Sequence, residues 1–79
     1  MINVGEWHWV VNMDDMTCKN LENEVTIKIE RVGEDLKAML HDMPIELFAE
    51  ISGYNDGEKI IENIVRLAGE EYLSSINRV

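Results

Sequence analysis

The sequence predicts a small α+β domain over residues 1–79: an antiparallel three-stranded β-meander, then two helices packed on one of its faces. Three observations predict it. Residues 25–41 alternate apolar and polar side chains about a glycine turn. The segment after Gly57 repeats its apolar residues with the period of a helix. Between these, Pro44 and Gly53 bracket a short apolar stretch, as helix start and stop signals do.

Residues 6–12 place Trp7, Trp9 and Val11 on one face of an extended chain and His8, Val10 and Asn12 on the other, which predicts the first strand. The two tryptophans are expected to anchor the core, because Val11 continues their stripe. This strand is expected to lie beside residues 25–31. The intervening residues 13–24 show no clear period and form a long connection, part of which extends the flanking strands, since Leu21 and Asn23 keep the parity of Val25. In residues 25–31, Val25, Ile27 and Ile29 alternate with Thr26, Lys28 and Glu30, and in residues 36–41, Leu36, Ala38 and Leu40 alternate with Lys37, Met39 and His41. A two-residue turn at Gly33-Glu34 sets Ile29 opposite Ala38, Ile27 opposite Leu40 and Glu30 opposite Lys37. Both apolar sets then share one side and the cross-strand charges attract. A loop one residue longer or shorter, without a bulge, would break that agreement.

Pro44 suits the first position of a helix, where its missing N–H costs nothing. Ile45, Phe48 and Ile51 follow at spacing three, with Leu47 beside them, and Gly53 stops the run. Asn55 and Glu58 resemble a capping box opening the second helix, which is expected to reach about Ser75. Its apolar side comprises Ile60, Ile61, Ile64, Val65, Leu67, Ala68 and Tyr72, while Glu62, Arg66 and Glu70 form i,i+4 pairs on the other. Glu71 projects toward the apolar side, so fraying or a carboxylate reaching past Tyr72 to water is expected there.

The formal net charge is -9. Such a balance argues against direct binding to nucleic acid or anionic membranes, both of which require Lys and Arg to neutralise phosphate. It favours solubility and attraction to basic surfaces on another protein. Cys18 is the only cysteine, which excludes an intrachain disulfide. Met1 reads as a native start, and no signal-peptide pattern, membrane-length apolar run or N-glycosylation sequon occurs, so a cytoplasmic location is the expectation.

Chemistry-bearing groups are present without the arrangement that chemistry requires. Asp14-Asp15 in the long loop and Glu34-Asp35 at the hairpin turn are adjacent acids, and Asp56-x-Glu58 opens the last helix; carboxylates in turns are ordinarily solvated, and acid–base work needs two carboxyls with separated pKa values in a cleft. His8, His41, Cys18 and the loop aspartates have no metal-ligand spacing. His8 and His41 share the polar side of the expected sheet and would approach one another there, as ordinary surface histidines. Cys18 reads as a semi-buried structural thiol. Neither a catalytic residue, a cofactor nor a metal is therefore expected.

Two surfaces remain as binding candidates. One is acidic: Asp42, Glu46, Glu50, Asp56 and Glu58 fall in a stretch without Lys or Arg, and the loop acids Asp14, Asp15, Glu22 and Glu24 add to it. The other is the outer sheet face, mixed and near neutral, where Val10 and Met39 offer apolar contact beside His8, Lys28, Lys37 and His41. The expected function is a non-catalytic module that binds a protein partner as regulator or scaffold, with the wide apolar side of the second helix allowing a homodimer. In size and charge the chain also resembles the small acidic inhibitors encoded by phages and mobile elements. That likeness implies an alternative, a protein that imitates nucleic acid to block a nucleic-acid-handling enzyme, and it points to no particular residue.

Overall fold

The computed structural model describes residues 3–77 of the chain; Met1, with the question of a native start, lies outside them. A 3-10 turn, Val4–Glu6, leads into β1 (Trp9–Asn12), β2 (Thr17–Asn20), β3 (Val25–Val32) and β4 (Asp35–Asp42), followed by α1 (Ile45–Ser52) and α2 (Gly57–Asn77). The class is α+β, and the sheet is an antiparallel meander in the order β1-β2-β3-β4.

The β3–β4 hairpin has the expected register. Ile29 faces Ala38, Ile27 faces Leu40, Glu30 faces Lys37, and Val32 faces Asp35 across the Gly33-Glu34 turn. Gly33 supplies the φ of 65° that this turn requires. Near the far end the register shifts, so that Asp42 rather than His41 pairs with Thr26 and His41 occupies a bulge.

The sheet has four strands, one more than the sequence pattern predicted. The extra strand, β2, lies inside the supposed loop and separates β1 from β3, so β1 does not border residues 25–31. Its inward side chains are Cys18 and Asn20, both fully buried, so it shows no run of alternating aliphatic residues. What defines β2 is a pair of matching turns. Asn12 Oδ1 accepts the Asp15 N–H at 3.1 Å, and Asn20 Oδ1 accepts the Asn23 N–H at 2.7 Å. Each turn closes on a residue with left-handed backbone, Met16 (φ 55°) and Glu24 (φ 56°). Asparagine side chains stand in here for backbone acceptors and tighten a four-residue loop. The first strand is also shorter than expected, because Glu6 belongs to the 3-10 turn and Trp7 and His8 precede β1.

One helix, α2, crosses all four strands, while α1 packs on α2 and not across the sheet. Ile64, Ala68 and Tyr72 of α2 are buried with Val25, Ile27 and Ile29 of β3, and Trp7, Trp9 and Val11 pack against that core. Each fully buried isoleucine contributes about 1.5–3 kcal/mol of transfer free energy. Pro44 is the N-cap of α1, and Gly53 donates back to Ala49 and Glu50 at its end. Only Leu47 and Ile51 of α1 turn inward; Ile45 is 78% exposed and Phe48 46%, so the spacing-three stripe does not mark the buried side. Gly57 begins α2 where a Cβ would lie 2.5 Å from the Ile51 carbonyl oxygen, so a residue without a side chain is required for the two helices to meet. Among the described residues Asn55 makes no side-chain cap, and α2 begins two residues after it. α2 runs without fraying past Glu71, which is half-buried along it, and continues two residues beyond Ser75 to Asn77.

Candidate functional site

The predicted acidic residues lie on several elements. Asp42 lies on the outer sheet face, in register with Thr26. Glu46 and Glu50 sit one turn apart on α1. Glu50 borders an open hollow of about 990 Å³ whose other walls include Glu6, Trp7, His8 and Glu22. There His8 Nδ1 and Glu22 Oε1 are 2.9 Å apart, both exposed, a pairing worth little in water.

Asp56 and Glu58 meet a different set of neighbours. With Lys59 they rim a hollow of about 580 Å³ at the corner of α1 and α2, whose apolar lining is Phe48, Tyr54 and Ile61. The corner exists because Gly53 ends α1 and Gly57 lets α2 start against its last turn. Phe48 and Tyr54 remain exposed, since the corner faces away from the sheet. Apolar rings ringed by carboxylates can take up a side chain that is apolar along its stem and cationic at its tip, or an apolar residue next to a basic one. Sequence reasoning named Asp56 and Glu58 and placed Phe48 only in the spacing-three stripe of the short helix, not at a binding surface. The signal that separates them is the i,i+4 pair Leu47/Ile51, which competes with Phe48 for the buried side of a two-turn helix.

Val10 and Met39 are both on the outer sheet face but in strands β1 and β4, at opposite edges. At about 4.8 Å per strand they stand roughly 14 Å apart, and do not make one apolar patch. The same separation keeps His8, just before β1, from His41 in β4, so the expected approach of the two histidines does not occur. Lys19, Lys28 and Lys37 step diagonally across this face among Glu30, Asp35 and Asp42, which leaves it mixed in charge.

Cys18 is fully buried and its thiol donates to the Ala68 carbonyl at 3.3 Å. Burial pushes the thiol up from 9.0 to about 11, and the Glu71 carboxylate adds to the shift. A thiol so held is protonated and inert at neutral pH, the opposite of a nucleophile. Asn20 is buried as well; its Oδ1 serves the turn, while its Nδ2, like the buried Trp9 Nε1, has no partner among the described residues. No three His, Cys, Asp or Glu side chains converge as metal ligands among the described residues, and no described helix is long and apolar enough to cross a membrane.

Comparison with known proteins returns no matching family, no matching curated protein and no matching solved structure.

Proposed function

We propose that the protein is a non-catalytic binding module that docks a protein partner at the α1–α2 corner. The observation that carries this reading is the pair of exposed rings, Phe48 and Tyr54, lining one hollow with half-buried Ile61 and with Asp56 and Glu58. Aromatic residues in a concave site surrounded by charge are the usual anchors of protein recognition. The partner segment that fits is short, with an apolar anchor and a neighbouring Lys or Arg. Imitation of nucleic acid draws less support, because Glu50 borders one hollow, Asp56 and Glu58 another, and Asp42 lies on the outer sheet face.

The test is capture of partners on the immobilised protein in parallel with Phe48→Ser and Asp56→Lys/Glu58→Lys variants, at low and high salt, with and without competing DNA. The expected partner survives high salt, ignores DNA and is lost with Phe48→Ser. Release by salt and displacement by DNA, with Phe48→Ser indifferent and Glu46→Lys/Glu50→Lys abolishing capture, would replace this reading with the nucleic-acid mimic.

A further inference from the structure

Edge strand β4 and the groove beside it have the features of half an interface. β4 is eight residues long, whereas β1 at the other edge is four. Between β4 and α2 lies a groove of about 260 Å³ with Ile29, Leu36 and Ala38 as its floor and Val65, Gly69 and Leu73 along its wall. Leu73 is 49% exposed, and Leu36, Ala38 and Val65 are half-buried. An unpaired strand edge flanked by open apolar side chains is a template for another strand.

We infer that the occupant is a second copy of this chain, joined through β4 in antiparallel fashion about a two-fold axis at Ala38. The strand is self-complementary in that register. Leu36 faces the partner's Leu40 on the inner side, Lys37 faces the partner's Met39 on the outer side, and Asp35 faces the partner's His41. For residues 35–40 these inner and outer assignments agree with the pairing of β4 to β3; His41 stands at the bulge next to them. Sliding by two residues in one direction sets Lys37 against the partner's Lys37, and that like-charge contact disfavours the alternative register. At the axis the residues are small. Gly69 of α2 approaches Ala38 so closely that a Cβ there would lie 3.3 Å from the alanine methyl. The two grooves therefore join above the axis, and Val65 and Leu73 of the two copies bury one another. The product is a continuous eight-stranded sheet with an α2 from each copy on the same face. This interface leaves the α1–α2 corner uninvolved, so its test and that of the proposed function are independent.

Sedimentation equilibrium on the full chain at about 0.15 M salt, where the screening length is about 8 Å, limits the repulsion between two copies of net charge -9. The expected mass is twice 9.1 kDa. Asp35→Lys and His41→Glu are both exposed-site changes that leave the protomer folded. Because the Asp35/His41 contact occurs twice per dimer, each alone weakens dimerisation roughly 3- to 30-fold, and the double variant restores it. Amide exchange adds the location: protection on the outward side of β4 rises with protein concentration. A monomer at millimolar concentration overturns the proposal. So does a dimer indifferent to both single variants, or one whose concentration-dependent protection falls on β1 or α1.

Discussion

The two helices begin from similar sequence material and end in different roles. Both are amphipathic, and α1 is the more apolar for its length. Yet α2 spends its apolar side on four strands, burying Ile64, Ala68 and Tyr72, while α1 commits Leu47 and Ile51 and leaves Ile45 and Phe48 in water. The difference follows from length and position. A helix of 21 residues can span the sheet, whereas one of 8, tied to the end of β4, reaches only the first turns of its neighbour. Apolar side chains in α2 hold the fold together; those in α1 remain available to a partner.

Substitutions that separate the two roles sharpen this contrast. The largest effect is expected from Ile64→Ala, which opens a cavity under α2 and lowers unfolding free energy by about 2–5 kcal/mol in urea titration. Gly57→Ala attacks the joint itself: the added methyl strikes the Ile51 carbonyl, and the strain is expected to cost about 1–3 kcal/mol while the α1–α2 corner shifts. The contact of α2 with the sheet also carries a pH signature. The Cys18 thiol titrates at about 11 in the folded protein against 9.0 unexposed to burial, so its contribution is whole below pH 9.0 and is lost as pH rises through about 11. Stability of the wild type is therefore expected to fall more steeply across that window than stability of Cys18→Ala; equal slopes would contradict the burial of the thiol under α2. The smallest effect belongs to α1. Ile45→Ser is expected to change stability by no more than about 0.5 kcal/mol, and a larger loss in thermal melts would mean that α1 holds the core after all.

The β3–β4 hairpin was legible in register from its turn to the Ile27–Leu40 pair, because three constraints act on the same few positions: alternation, turn chemistry and the Glu30–Lys37 pair; the bulge at His41 carries no such signal. Helix α2 was legible in its apolar side and in the Arg66–Glu70 contact, which forms at 3.0 Å. β2 was not legible by alternation, since its buried positions hold Cys18 and Asn20. Its trace lies in the asparagines at 12 and 20, each followed three residues later by a residue, Asp15 or Asn23, that can complete the turn. The candidate site was legible in half. The acids Asp56 and Glu58 stood out by composition, but the choice between Leu47 and Phe48 for the buried side of α1 depends on where α2 lies, and that is a tertiary fact.

The paired asparagine turns have a kinetic consequence. Every strand of the meander pairs with its sequence neighbour, across turns of a few residues, so the sheet can zip from contacts that are all local. Docking of α2 is the exception: the Cys18–Ala68 hydrogen bond joins residues 50 apart. Closing that loop is expected to carry the largest entropic cost among these contacts, leaving the thiol open to solvent beforehand. The lone cysteine thus works as a built-in clock, its burial marking the moment at which a formed sheet acquires its helix.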